Sequence, residues 1–417
     1  MKVIADLHTH SRFSRACSKD ITIKAMEETA IQKGISLLAT GDFVNAPWLS
    51  ELKLNLEEEG DTCLYKVRGS SSPVRFMVGG EVSTVYEHAG KIRKVHHCVF
   101  VKSITEAEQV RDLLNGKGIL DSDGRPTLKI SSAELVDYAL QVDKDAFVFP
   151  AHAWTPYFGV LGSISGFDSL KEAYEDKEKN IYALETGLSS DPEMNWRLSS
   201  LDKYTLISNS DMHSLPKMGR EANVFEIDKL TYNEILDIIK KKDRKRFKYT
   251  IEYFPEEGKY HYDGHRQCNY SSNPETQKND ICPVCGKKLV IGVLHRVEDL
   301  ADRPANFVPE DAIPFKKTVP LTEIIAYTMK KNSYSMAVKK IYDEMISKLG
   351  NEFHILLESS IDEIENASTE EIGEAISNIR AGKVGIDPGY DGVFGRIDLL
   401  NRSTPRRFVN RQKHLFQ

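Results

Sequence analysis

Two short motifs carry ligand-type side chains two residues apart: Asp6-Leu7-His8-Thr9-His10 and Ser210-Asp211-Met212-His213. Each follows an apolar run. In an extended chain, residues i and i+2 point to the same side, so His8 and His10 can hold one ion together. Further polar residues end other apolar runs: Asp42 after ISLLAT, Glu81 after VRFMVGG, His152 after AFVFP and Glu185 after IYAL. His96 and His97 lie within VHHCVFV. Alternation lets only one of them face an ion, and His97 is favoured. A single histidine at a strand end is usually a structural hydrogen-bonder. This many ligand types at strand C-termini point to a site, because parallel β/α enzymes place their chemistry there. The candidate ligands are His8, His10, Asp42, Glu81, His97, His152, Asp211 and His213, with His96 and Glu185 as further candidates. Asp211, His10 and His213 are the candidate catalytic groups. Mixed imidazole and carboxylate donors suit Zn²⁺, Mn²⁺ or Fe²⁺ better than Mg²⁺. Clustered divalent ions bind phosphate oxygens and lower the pKa of bound water, so phosphoester hydrolysis is the natural chemistry.

A second constellation is His265-x₂-Cys268 followed by Cys282-Pro283-Val284-Cys285-Gly286. Two such hooks supply four ligands with zinc-ribbon spacing. With every position filled by protein, the expected zinc is structural. Cys17, Cys63 and Cys98 are scattered and read as ordinary thiols.

The elements that must position these groups are legible as periodicity. Apolar runs begin at Val3, Ile35, Val74, Val95, Ala146, Ile181, Tyr204 and Ala222. Several are apolar nearly throughout, as in a sheet covered on both faces. Helical patterns such as ITIKAMEETAIQKG and SSAELVDYALQ lie between some of them. The alternation predicts an α/β fold with a parallel barrel over residues 1–245. Residues 246–318 change to aromatics, glycines, prolines and the Cys/His hooks, and read as a small zinc module. Residues 319–400 turn helical, and 401–417 form a basic tail.

Composition bounds the class. Hydrophobic residues make up 40% and charged residues 28% of 417, which excludes wholesale disorder. No run of ~18 apolar residues suggests a membrane span. The first ten residues already carry Asp6 and His8, unlike a secretory leader, so a cytoplasmic location is expected. The net charge of −6 is uneven. Residues 351–374 hold eight acids and no Lys or Arg, whereas residues 396–417 hold six basic residues against Asp398. A basic stretch of this kind can bind a polyanion despite a negative total.

The residues also carry a resemblance. DLHTH, a later carboxylate and histidine, and a closing SDMH resemble the polymerase and histidinol phosphatase (PHP) superfamily, over roughly residues 1–230. That resemblance implies a distorted (βα)₇ barrel with a metal-dependent phosphoesterase centre. Members commonly carry an acid shortly after the first motif, where this chain has Ser14-Arg15, and Thr-Asp-His after the second strand, where it has Gly41-Asp42-Phe43. Asp42 is expected to substitute as a ligand. The PHP motifs, then HYDGHRQC, CPVCGKKL and a helical region with PGYDGVFG, resemble the endonuclease Q family across almost the whole chain. That resemblance implies cleavage of DNA 5′ to deaminated bases (uracil, hypoxanthine, xanthine) and at abasic sites, leaving a 3′-hydroxyl and a 5′-phosphate. Two other readings compete: a small-molecule phosphoesterase of the histidinol phosphatase kind, and a non-catalytic DNA-binding protein with a decayed barrel. The expected cofactors are one structural zinc and two or three divalent ions (Zn, Mn or Mg) in the barrel.

Damaged DNA is the expected partner. A deaminated base shows its new carbonyl only when unstacked and flipped. The turn with Gly389, Tyr390 and Gly392 offers backbone donors and an aromatic ring for it, and Arg396, Arg402, Arg406 and Arg407 offer phosphate contacts. Gln412-x-x-Leu415-Phe416 resembles the short peptide by which bacterial replication proteins dock on the sliding clamp.

Overall fold

A computed structural model describes residues 1–277 and 280–402. Each apolar run read from the sequence contains a strand. Lys2–Asp6 pairs in parallel with Leu37–Ala39, which pairs in parallel with Arg75–Met77. The chain then passes directly into Gly79–His88 and returns antiparallel as Lys91–Phe100. Lys91–Phe100 pairs antiparallel with Phe147–Pro150. A parallel bridge from Val148 to Ile181 leads on to Ala183–Glu185, which pairs in parallel with Thr205–Ile207. A further parallel bridge, Thr9 to Met212, brings the two metal-type motifs side by side.

Side-chain alternation shows what this circuit encloses. Val3, Ala5, Leu37, Ala39, Met77, Cys98, Phe100, Phe147, Phe149, Ala183 and Ile207 pack into one buried cluster. Their neighbours Ile4, Leu38, Phe76, Val99, Val148 and Leu184 join a different cluster with the surrounding helices. The strands therefore close around an interior, each giving alternate residues to it. The helix Tyr232–Lys241 plugs one end with Tyr232, Ile235, Leu236, Ile238 and Ile239. This is a distorted (βα) barrel of mixed α/β class.

Two departures from the parallel expectation have local causes. Gly79–His88 and Lys91–Phe100 form a hairpin whose two-residue turn, Ala89-Gly90, has φ values of 49° and 74°. Left-handed conformation at both positions matches the twist of a tight hairpin. Ala222–Glu226, read as one more parallel strand, instead runs antiparallel to the first strand, Val3 opposite Phe225. The link before it holds only the 3₁₀ turn Leu215–Lys217 and no helix to carry a parallel crossover. The Asn223 side-chain amide donates to Ser208 O (2.8 Å) and Ala5 O (3.3 Å), and ties this end of the circuit to the first strand.

Beyond the barrel, Asp263–His265 and Tyr270–Ser272 form a small antiparallel hairpin. Asp263 fixes it: one carboxylate oxygen accepts from Gly292 N at 2.7 Å and the other meets His295 Nδ1 at 2.6 Å, at the start of helix Val293–Leu300. The helices Leu321–Met329, Met336–Leu349, Glu352–Leu357, Ile361–Ala367 and Glu370–Arg380 share a third core around Ile324, Val338, Met345, Ile355, Ile364 and Ile376. One buried carboxylate docks them on the barrel. Glu352 accepts from Lys33 Nζ of the first barrel helix (3.0 Å), Leu321 N (3.0 Å) and the Tyr342 hydroxyl (2.9 Å). Among the described residues no helix is long and apolar enough to cross a membrane.

Candidate active site

The barrel end that carries the strand C-termini gathers the predicted ligands. Two groups lie close enough to hold ions: His8, His10, Glu81 and Asp211, and Glu81, His96 and His152. In each group one ligand atom per residue lies within 4.8 Å of all the others. Glu81 belongs to both. Its Oε2 lies 3.2 Å from His10 Nε2 and 3.5 Å from His8 Nε2, and its Oε1 lies 2.7 Å from His96 Nδ1 and 3.2 Å from His152 Nε2. Asp211 Oδ1 sits 3.0 Å from His10 Nε2.

The backbone is bent to achieve this. Asp42, His152 and Asp211 have φ of 45°, 30° and 46°, the left-handed region that non-glycine residues rarely adopt and that concentrates at functional sites. Two glycines make room. A Cβ on Gly80 would stand 2.7 Å from Asp42 N, and one on Gly187 would stand 2.6 Å from His152 Cβ.

Each imidazole of the first motif is aimed by a carboxylate behind it. His8 Nδ1 meets Glu185 at 3.0 Å and His10 Nδ1 meets Asp42 at 3.0 Å. Both rings therefore present Nε2 to the cluster, the carboxylate–histidine arrangement that fixes the tautomer of metal ligands. Asp42 also accepts from Ser11 N (2.7 Å), Ser11 Oγ (2.6 Å) and Ser14 Oγ (2.9 Å). Asp42, expected as a ligand, thus stands behind His10 and outside both groups of ligand atoms, where it orients the ring. Glu185 is placed likewise, since it also accepts from His152 N at 2.7 Å.

His97 is the second correction. It lies on the opposite face of its strand, with Nδ1 2.9 Å from the Tyr174 hydroxyl and Nε2 3.0 Å from Thr84 Oγ1. Burial pushes it down to about 3, so it is neutral. His96 instead turns toward Glu81 and His152, and burial holds it neutral too, at about 4. A histidine ligand must be neutral. We expect His96→Ala to weaken divalent-ion binding in the barrel by at least ~10-fold. His97→Gln should leave ion binding unchanged and lower only thermal stability. Isothermal titration with Mn²⁺ beside a melting curve separates the two.

His213 lies at the mouth of the cluster, half-buried, with its ring 4.8 Å from that of His10. Its Nδ1 donates to the Asp211 carbonyl at 2.9 Å, which leaves Nε2 as the free lone pair. Two arginines escaped sequence reasoning. Arg125 Nη1 lies 3.0 Å from Glu81 Oε2, and Arg220 donates to Ser210 O (2.8 Å) and Asp211 O (3.3 Å). Neither sits in a motif or at a strand end, so no spacing announced them.

The residues fit divalent cations on chemistry of their own. His8 Nε2 is buried with no hydrogen-bond partner. Burial alone would push His8 and His10 down, yet Glu185, Asp42 and Asp211 around them hold both well above the ordinary imidazole range. The cluster thus demands positive charge at depth, which bound cations satisfy.

The zinc hooks also converge. His265, Cys268, Cys282 and Cys285 place their ligand atoms within 4.8 Å of one another, and Cys285 Sγ lies 3.5 Å from His265 Nδ1. The Cys282–Cys285 turn is closed by Gly286 N donating to Cys282 O at 2.9 Å, with Gly286 at φ 73°. Three thiols and one imidazole brought this close fit zinc, which takes four such ligands.

The predicted base-contacting turn is built differently from the expectation. Tyr390 is only 7% exposed, and its hydroxyl donates to Asn269 Oδ1 at 2.9 Å. Gly389 O accepts from Tyr262 N at 2.9 Å. Tyr390 and Gly389 lock this turn onto the zinc hairpin, so they are not free to meet a base. Gly392 takes φ 81° at the same turn. Arg396 is exposed, and Arg402 pairs with Glu374. Arg406, Arg407, Gln412, Leu415 and Phe416 lie outside the described residues.

The whole arrangement has known counterparts. A crystal structure of the lesion-specific endonuclease Q of Pyrococcus furiosus superposes with a TM-score of 0.84 at 30% identity, covering 97% of this chain and 98% of that one. A second structure, endonuclease Q in complex with a 27-mer duplex substrate with an abasic lesion at the active site, gives 0.83 and 31%, covering 98% of this chain and 100% of that one. The chain belongs to the endonuclease Q family. Residues 320–383, within the helical region, match the family model described as the MJ0043 C-terminal domain. An uncharacterized protein of Methanocaldococcus jannaschii, MJ0043, is 33% identical over 271 residues, which are 62% of this chain and 34% of that protein. The chain thus spans about a third of that relative's length, whereas it matches the two endonuclease Q structures over nearly all of theirs.

Proposed function

We propose that the chain is a DNA repair endonuclease that hydrolyses the phosphodiester 5′ to deaminated bases (uracil, hypoxanthine, xanthine) and abasic sites, leaving 3′-hydroxyl and 5′-phosphate ends. The observation that carries this reading is the full-length likeness to the endonuclease Q complex with an abasic-lesion duplex at its active site. The Glu81-centred cluster at the open end of the barrel supports it. We assign His8, His10, Glu81 and Asp211 to one divalent ion and Glu81, His96 and His152 to another, with His213 at the mouth for a third or for proton transfer. Bound there, divalent ions activate water and stabilise the attacking and leaving oxygens.

The chain's own groups do the rest. Asp42 and Glu185 keep the two imidazoles turned with Nε2 inward. Arg125 adds a fixed positive charge beside Glu81, suited to a non-bridging phosphate oxygen. Arg220 holds the Ser210–Asp211 backbone in its strained turn. The zinc module and the helices extend the surface that duplex DNA needs, which a small phosphate monoester does not.

The test is one assay. The protein is incubated with Mn²⁺ or Mg²⁺ and labelled duplexes carrying a single dU, dI or abasic site, beside undamaged duplex and p-nitrophenyl phosphate. A single cut 5′ of each lesion is expected. Turnover of p-nitrophenyl phosphate alone would favour the small-molecule phosphoesterase, and binding without any cut the decayed barrel. The Gln412-x-x-Leu415-Phe416 pattern adds a sliding clamp as a tethering partner. Calorimetric titration of purified clamp with the full chain and with a chain ending at Arg411 tests that. Equal binding by both, or by neither, removes the idea.

A further inference from the structure

The two ion groups are backed differently. In the first, a carboxylate stands behind each imidazole, Glu185 behind His8 and Asp42 behind His10. In the second, no carboxylate but Glu81 itself meets either ring among the described residues. His152 Nδ1 meets the Thr155 hydroxyl at 2.9 Å, which turns Nε2 toward Glu81. His96 donates its backbone N–H to the Phe158 carbonyl at 2.9 Å, and its ring lies 4.3 Å from the Phe158 ring at an angle of 30°.

Thr155 and Phe158 belong to one loop, residues 153–168, which leaves the barrel directly after His152. The loop folds tightly on itself. Leu161 N donates to Ala153 O at 2.9 Å and Ile164 N to Pro156 O at 3.1 Å. A Cβ on Gly162 would stand 2.2 Å from Thr155 O. Phe158 has φ of 67°, a conformation that a bulky side chain seldom takes and that collects at functional sites. Its N–H donates to Ser165 Oγ at 3.1 Å, and Ser165 Oγ donates to Lys94 O at 3.3 Å, two residues before His96 on the same strand. The loop thus holds both imidazoles of the second group, one through Thr155 and the other through Phe158.

The far side of the loop is gripped from outside the barrel. Arg296, on helix Val293–Leu300, donates to Leu161 O (3.1 Å) and Phe167 O (3.0 Å) and pairs with Asp168 (2.6 Å). One guanidinium therefore spans three points of the loop, a fixed fork that an ammonium cannot reproduce. The same helix is fixed to the zinc hairpin by Asp263.

We propose that residues 153–168 are the positioning element of the second ion group, and that Arg296, by clamping this loop, sets how firmly that ion is held. The proposal rests on the assignment of Glu81, His96 and His152 to one ion. A carboxylate behind an imidazole strengthens it as a metal donor, and partners of this kind change affinity about 10- to 100-fold. With a hydroxyl and a carbonyl in that place, the second ion is the weaker of the two and the one the loop controls.

Mn²⁺ is titrated calorimetrically into the full chain carrying its zinc, with a melting curve beside each titration. The binding event weakened in His96→Ala identifies the second ion. Thr155→Val removes the hydroxyl behind His152 and should weaken that event about 10-fold, and Thr155→Ser should restore it. Arg296→Gln should weaken the same event about 2- to 30-fold, the range for changes that act through a packed network, with Arg296→Lys between it and the parent. The first event should stay unchanged in all four. Incision of a lesion duplex by Thr155→Val and Arg296→Gln should need more Mn²⁺ yet reach the parental maximum, which a merely loosened fold would not do. An unchanged second event in Thr155→Val or in Arg296→Gln, equal weakening of both events, or a lowered maximum that Mn²⁺ does not restore would overturn the proposal. If His96→Ala alters no event at all, the second ion group is itself absent, and the proposal falls with it.

Discussion

Glu81→Gln is expected to reduce incision of a lesion-bearing duplex at least ~10²-fold while lesion-DNA binding in EDTA persists. Glu81 is the one carboxylate common to both candidate ion groups, with an oxygen toward each. Gln keeps the shape and removes the charge. Even groups that merely orient metal ligands cost about 10- to 100-fold when removed, so a shared ligand should cost more. Asp211→Asn should act in the same direction, through the first group alone. Single-turnover incision in Mn²⁺, with bound metal counted by mass spectrometry, checks both. Wild-type-like incision by Glu81→Gln would remove the cluster from the chemistry.

Cys282→Ser is expected to remove about one zinc per chain and unfold the zinc hairpin while the barrel stays folded. Structural zinc supplies the folding free energy of such small modules. Cys282 is fully buried, and its N–H donates to Lys287 O at 2.7 Å within the ligand turn. The barrel core shares no zinc ligand, so the far-ultraviolet signal of its helices should survive. The hairpin also anchors Tyr390 and its turn through Asn269, so that turn should lose its support and DNA binding should weaken. Unchanged zinc content would show that His265, Cys268, Cys282 and Cys285 are not the site.

The barrel was legible because its strands are apolar on both faces and its polar residues stand at their ends. The same property hid the choice between His96 and His97. In VHHCVFV, Cys98 and Phe100 face the barrel interior, while Val95, Val99 and Val101 face the helices. Both faces are equally apolar, so alternation separates the two histidines without saying which faces the ions. Asp42 was legible as a polar residue at a strand end but not in its placement. That it lies behind His10, with the hydroxyls of Ser11 and Ser14 closing around it, is a packing outcome that no spacing reveals. The turn PGYDGVFG was found, but not which of its rings would be buried. Sequence marks an aromatic in a turn, but only packing decides that Tyr390 lies against Gly264, where a Cβ would stand 2.3 Å from its ring, and that Phe394 points out. Arg125 and Arg220 reach the cluster from loops and were invisible for that reason.

Anomalous diffraction from crystals soaked in Mn²⁺ tests the central assignment most directly. Peaks are expected on both sides of Glu81: one within ~2.0–2.3 Å of donor atoms from His8, His10 and Asp211, the other within the same range of His96 and His152. A separate zinc-edge peak should lie among His265, Cys268, Cys282 and Cys285. No density beside Glu81, or a peak coordinated by Asp42 or His97 instead, would contradict it.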